Sequence, residues 1–178
     1  EELLANIRSV QLRNSLKQSE KLGTLDFTVE METGTGKTYV YFKTILELSL
    51  KYGFKKFIIV VPSLAVREGV LKSYEITQAH FKTLYDNIVY HLFPYDSSSL
   101  EKVRSFALAD TVEIMLINIA AFNKNFSENE MNSNIIHRSN DKLSGLKPID
   151  FISQTRPILI IDEPQSVGNT DNAKKALQ

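Results

Sequence analysis

The sequence predicts an α/β fold, a mostly parallel sheet with helices on both faces. Three observations carry that prediction. Strand-like and helix-like runs alternate along the chain. A glycine-rich turn, Met31-Glu32-Thr33-Gly34-Thr35-Gly36-Lys37-Thr38, separates a short strand-like segment from a helical pattern. The uninterrupted apolar run Ile158-Leu159-Ile160-Ile161 ends on the acidic pair Asp162-Glu163, as expected of a strand buried on both faces of a parallel sheet.

The elements follow in order. Leu25–Glu30 has strand propensity, with the strand itself placed at Phe27–Glu30. After the glycine turn, a helix is expected over Lys37–Tyr52, ending near Gly53. Further strands are expected at Lys56–Val61, Ile88–Leu92, Val112–Asn118 and Ile158–Ile161. Between them lie helical patterns at Leu64–Tyr85, broken near Thr77, and at Leu100–Ala107. Ser63 suits the N-cap of the first of these, and Ser98 or Ser99 that of the second. Right-handed crossovers are expected between the parallel strands. The stretch from Asn123 to Pro157 is polar and rich in asparagine. It is too long for an ordinary connection. It reads either as a loop inserted near a partner surface or as a mobile surface insertion, with Ile135-Ile136 and Pro148–Ile152 as anchors to the core.

Composition narrows the class. At 178 residues, one domain spanning 1–178 is the expectation. A hydrophobic fraction of 43% supplies a sizeable core. Basic and acidic side chains balance at 21 each, so net charge does not argue for nucleic acid, although a local basic strip remains compatible with it. The absence of cysteine excludes disulfides and thiolate metal sites. His80, His91 and His137 lack ligand spacing and read as surface or sheet-edge residues. No apolar run reaches the length of a membrane span, and no secretory signal is visible. The first residue is not methionine, which points to a piece of a longer protein.

The chemistry lies in the two motifs. Gly34 and Gly36 permit backbone angles that other residues resist. Successive N–H groups can then converge on anionic oxygens at a helix N-terminus, where the macrodipole adds favourable potential. Lys37 supplies a positive charge for the β- and γ-phosphates. The Thr38 hydroxyl suits Mg²⁺, a hard cation that prefers oxygen. Asp162 sits where a strand's carboxyl end meets the ligand in open α/β sheets and is placed to hold Mg²⁺ opposite Thr38. Glu163 is placed to orient or deprotonate an attacking water. Taken alone, the acidic pair also reads as a solvated cap on a buried strand. Met31 stands where the general phosphate-loop pattern has glycine.

With these motifs, the chain resembles the first RecA-like lobe of a superfamily 2 helicase or translocase, a branch that tolerates a non-glycine residue at the position of Met31. More specifically, it resembles the restriction (Res) subunit of bacterial type III restriction-modification enzymes. The resemblance rests on Met31–Tyr41, on Ile161–Ser166 and on Phe57–Val70, which is similar to the family's motif Ia. Leu116–Lys124 is similar to its motif Ib region, and Asp141–Leu143 and Lys147–Ile152 also fit. It covers most of the chain.

That resemblance implies a P-loop NTPase fold and a cytoplasmic bacterial enzyme that hydrolyses ATP with Mg²⁺. It implies translocation or signalling along double-stranded DNA, then DNA cleavage, in complex with a modification subunit that methylates adenine. It further implies a second RecA-like lobe with arginine fingers and a nuclease domain, neither of which these residues contain, so the piece alone is expected to be nearly inactive. By residue, Thr33, Gly34, Thr35, Gly36, Lys37 and Thr38 cradle phosphates, Asp162 holds Mg²⁺, and Glu163 polarises water. Gln165 senses the nucleotide across the cleft. Ser63 and Arg67 contact the DNA backbone, although Arg67 also reads as an exposed helix residue beside Glu68. Gln11 is a possible adenine reader or a solvated helix residue.

Three other readings compete. Another superfamily 2 helicase or translocase shares the motifs. A P-loop kinase would carry a lid with clustered arginines, but the arginines here are dispersed. A nucleotide-binding regulatory module can dispense with the carboxylate at Glu163. A dinucleotide oxidoreductase lacks its Gly-x-Gly-x-x-Gly fingerprint here.

Overall fold

The computed structural model describes residues 1–121, 136, 145 and 147–167. They fall into two compact units, Glu1–Thr35 and Gly36 onward. The first contains one helix, α1 (Glu2–Arg13). Its later residues are tied back to this helix by side chains. Arg8 donates from Nε to the Ser19 carbonyl (2.8 Å) and from Nη2 to that of Glu20 (2.7 Å). The Gln11 amide donates to Ser19 Oγ (2.9 Å) and accepts from the Ser19 N–H (2.8 Å). Both ends of that amide therefore have partners within the unit.

The strand expected at Phe27–Glu30 does not form. Phe27 and Val29 are 56% and 76% exposed, so their β-favouring side chains have no packed surface to lie on. Strand propensity expresses fit to a half-buried pleated surface, and without that surface it decides little.

The second unit is the α/β sheet. Its strands are β1 (Lys56–Val61), β2 (Tyr90–Pro94), β3 (Val112–Asn118) and β4 (Ile158–Ile161). All pair parallel, in the spatial order β2-β3-β1-β4. β1, β3 and β4 occupy the residues expected. β2 starts two residues later than expected, because Asp86 and Asn87 take left-handed backbone angles after the preceding helix and delay the return to extended structure.

Alternation along β1 sends Phe57, Ile59 and Val61 to one face and Ile58 and Val60 to the other. On the first face pack α2 (Lys37–Tyr52), through Phe42, Ile45 and Leu46, and α3 (Leu64–Leu84), through Val70 and Phe81. On the second pack α4 (Leu100–Leu108), through Val103 and Phe106, and α5 (Pro148–Ser153), through Ile152. The path from β1 to β2 crosses the sheet one way over α3. The return to β3 runs the other way under α4. Reversing direction while changing face keeps one crossover hand, as parallel sheets require.

α3 is continuous through Thr77, where a break was expected. The Thr77 hydroxyl donates to the Ser73 carbonyl (2.7 Å), so the polar side chain is satisfied inside the helix. Ser63 caps α3 by accepting from the Val66 N–H (3.2 Å). Ser99 is the N-cap residue of α4, without a side-chain capping bond. β4 is only partly covered, with Leu159 37% exposed, so its apolar run is not buried on both faces as read from sequence. It lies at the end of the strand order, where one neighbour covers it instead of two.

Within the polar stretch, Ile136, Pro148 and Ile152 are buried, so the expected anchoring holds at those positions. Ile135 and His137, together with the remainder of 122–144, lie outside the described residues, as do Phe122–Lys124 of the motif Ib region and Asp141–Leu143. Among the described residues no helix is long and apolar enough to cross a membrane.

Candidate functional site

The carboxyl ends of β1 and β4 meet the N-terminus of α2. Gly36 heads α2 with φ +88°, a left-handed angle that a β-carbon would resist. The first two residues of the helix are Lys37 and Thr38. At the other side, the Asp162 N–H donates to the Val60 carbonyl (2.9 Å), which extends the β4 ladder by one residue and fixes Asp162 to the end of β1. The chain then bends sharply. Glu163 takes φ +54°, although it precedes Pro164 and carries a long side chain. Such a conformation costs about 1–3 kcal/mol.

Two bonds on the Glu163 carboxylate oppose that cost. Lys37 Nζ donates to Glu163 Oε1 at 2.9 Å, across a sequence separation of 126 residues. The Gln165 amide donates to Oε2. Both partners of the ion pair remain about one-third exposed, so water and dissolved ions can still reach them. The bond from Lys37, reinforced by that from Gln165, holds the Glu163 carboxyl below the usual glutamate range. The same bond with Glu163 raises the Lys37 ammonium above its ordinary value, with a smaller contribution from Asp162.

Asp162 differs from its neighbour. Burial, and secondarily the charge of Glu163, push its carboxyl above the usual aspartate range. Among the described residues no side chain hydrogen-bonds to its carboxylate. Beside it lies a residue passed over in the sequence reading. Tyr41, one turn along α2 from Thr38, has a buried hydroxyl without a hydrogen-bond partner. Thr38 adjoins that hydroxyl without completing a good hydrogen bond, and the Asp162 charge reaches it. The i, i+3 spacing from Thr38 was the available signal.

The structure therefore brings Lys37, Thr38, Asp162, Glu163 and Gln165 to one corner. Thr33, Gly34 and Thr35 belong to the first unit. There Gly34 has φ +80°, and the Thr35 hydroxyl donates to the Glu32 carbonyl (2.6 Å) in a tight turn. Ser63 follows β1, with its hydroxyl engaged as the α3 cap. Arg67 pairs with Glu68 through Nε (3.2 Å) and Nη2 (3.0 Å).

The donor set can be tested for a metal. Thr38 and Asp162 offer only oxygen, which suits Mg²⁺. The described residues contain no group of three or more His, Cys, Asp or Glu side chains able to hold a metal. Mg²⁺ needs none, because it keeps waters and binds through one or two carboxylates plus substrate phosphates. The residues present fit such an ion.

A family profile described as "Type III restriction enzyme, res subunit" matches residues 4–177. Among curated proteins, the chain is 31% identical over 169 residues to the type III restriction-modification enzyme StyLTI Res subunit of Salmonella typhimurium, covering 84% of this chain and 16% of that protein. It is 30% identical over 181 residues to the EcoP15I Res subunit of Escherichia coli, and 32% identical over 179 residues to the EcoPI Res subunit of Escherichia phage P1. Each of these two alignments covers 89% of this chain and 18% of the relative. The chain thus spans less than a fifth of the length of the curated relatives it matches.

Proposed function

The chain belongs to the type III restriction enzyme res-subunit family, and from that premise we propose that it is the ATP-binding motor lobe of such a subunit. The single observation that supports this reading best is the Lys37–Glu163 ion pair, which joins the two motifs across the fold. Lys37 exchanges the Glu163 carboxylate for the β- and γ-phosphates when nucleotide arrives. Glu163, once released, accepts a proton from the water that attacks the γ-phosphate. Gln165, bonded to Glu163, follows that change and carries it toward the cleft. Mg²⁺, when bound, would supply positive charge to the phosphates. Thr38 and Asp162 would supply its protein ligands, and the glycine-rich motif Thr33–Gly36, on its sequence alone, would offer backbone N–H groups to the phosphates.

In the whole protein, this reading couples hydrolysis to movement along double-stranded DNA before cleavage, beside a modification subunit in the bacterial cytoplasm. These residues form one RecA-like lobe of that enzyme. Ser63 and Arg67, at and just beyond the carboxyl end of β1, contact the DNA backbone there, Arg67 by exchanging Glu68 for phosphate. The test is equilibrium binding of a fluorescent ATP analogue with Mg²⁺ to wild type and Lys37→Ala. Lys37→Ala is expected to bind at least about tenfold more weakly, since a charge-assisted bond contributes roughly 1.5–3 kcal/mol. Equal affinities would remove the site.

A further inference from the structure

The described residues contain three buried hydroxyls without a hydrogen-bond partner, those of Tyr41, Tyr90 and Tyr95. A buried polar atom left unpaired in a folded protein calls for an explanation. Tyr90 belongs to the apolar cluster on one face of the sheet, where it packs edge-on against Tyr74 at 5.5 Å. Tyr95 packs against the cluster on the other face. Neither adjoins a candidate ligand. Tyr41 does: its ring packs against Phe42 at 5.2 Å, while its hydroxyl is turned to Thr38 and lies within electrostatic reach of Asp162.

The hydrogen-bonding capacity of these three groups is complementary. A hydroxyl that gives a lone pair to a metal retains one O–H, which needs an acceptor. A phenol accepts one bond and donates another. A carboxylate that gives one oxygen to a metal keeps acceptor sites on the other. Thr38, Tyr41 and Asp162 can thus satisfy one another completely with the ion in place.

We propose that Tyr41 is a positioning residue for the metal-ligand pair, accepting the Thr38 O–H and donating its own O–H to the Asp162 carboxylate in the Mg²⁺-nucleotide state. This inference rests on the nucleotide-site reading above. Partners of this kind orient the side chains that bind a metal, and their loss lowers metal affinity by about 10–100-fold. The Tyr41 hydroxyl has no hydrogen-bond partner within the fold, so its removal is not expected to destabilise it.

The experiment titrates Mg²⁺ into wild type, Tyr41→Phe and Tyr90→Phe at a fixed concentration of fluorescent ATP analogue, with EDTA-containing samples as reference. Thermal unfolding without nucleotide is recorded on each. Tyr41→Phe is expected to need about tenfold more Mg²⁺ or higher to reach half-saturation. Its affinity in EDTA and its unfolding midpoint stay at wild-type values or rise. Tyr90→Phe, which removes an equally orphaned hydroxyl elsewhere, keeps the wild-type Mg²⁺ midpoint. An unchanged Mg²⁺ midpoint in Tyr41→Phe overturns the inference while leaving the nucleotide site standing. So does an equal loss of affinity with and without Mg²⁺, which would mark a packing role. If wild type shows no Mg²⁺-dependent binding, the nucleotide reading fails and this inference fails with it.

Discussion

The two ends of the sheet both carry charged clusters, and they are built differently. At the amino end, Lys56, Glu113 and His91 lie in one row across β1, β3 and β2. Glu113 is nearly buried, yet it accepts from the Thr111 hydroxyl (2.6 Å) and lies 3.1 Å from His91 Nδ1. Lys56 donates to the Ala109 carbonyl (2.6 Å), and Lys55 pairs with Asp110. Each of these side chains has a partner there, although Asp86, Asn87 and Arg156, which lead into β2 and β4, also take left-handed angles. At the carboxyl end, Gly36 and Glu163 take left-handed angles, Tyr41 keeps an orphan hydroxyl, and Asp162 has no side-chain partner among the described residues. The comparison teaches that charge density does not mark a site. An acidic group left without a side-chain partner, at the glycine-headed N-terminus of a helix, does.

The sharpest way to break that contrast is to neutralise one carboxylate at each end. Glu163→Gln should lower ATP turnover by roughly 10²–10⁴-fold, the usual contribution of a general base. Nucleotide affinity should hold or rise, because Lys37 is then free. Phosphate release from the complete protein with DNA present measures the first, and equilibrium binding the second. Glu113→Gln should leave turnover unchanged. Wild-type turnover by Glu163→Gln would erase the functional difference between the ends.

Next in size is the metal. Asp162→Asn should raise the Mg²⁺ concentration required for nucleotide binding by about tenfold or more, since it removes the carboxylate charge from the metal shell. A Mg²⁺ titration matching wild type would instead assign Asp162 to the strand cap alone.

A smaller effect is expected from the amino end. Glu113→Ala strands the Thr111 hydroxyl and should cost about 1–3 kcal/mol. Calorimetry should register a fall in melting temperature of about 2–4 °C per kcal/mol for a chain of this size. Nucleotide affinity should be untouched, and a loss of binding would show that the two ends are coupled.

The smallest effect is a titration. Glu163 has a folded-state value below its ordinary one, so its pairing with Lys37 is intact above the ordinary carboxylate range and is lost as pH falls through the depressed value. Lys37, whose own value is raised, stays charged throughout that window. Lys37→Met should move the Glu163 midpoint upward, followed by the carboxyl carbon resonance in the nucleotide-free protein. An unmoved midpoint would mean that the pair does not persist in solution.

Much of the fold was legible because its signals are local. β1, β3 and β4 read correctly from short apolar runs, and α2 from its glycine boundaries at Gly36 and Gly53. Ser63 announced the start of α3, as its capping bond confirms. The failures depended on tertiary surroundings. Phe27–Glu30 has the composition of a strand without the packed surface that would make it one. The apolar run of β4 cannot reveal that it ends the strand order. In the site, residue types and spacing pointed to Lys37, Asp162 and Glu163. Neither the ion pair across 126 residues nor the orphan hydroxyl of Tyr41 can be read from a motif, since both arise only when α2 and β4 are brought together.

Hydrogen exchange with and without ATP and Mg²⁺ tests the contrast between the two ends most directly. Added protection is expected at Gly36–Tyr41 and Ile161–Gln165, with unchanged exchange at Ala109–Glu113. Protection confined to the amino end, or none at either end under saturating nucleotide, would contradict it.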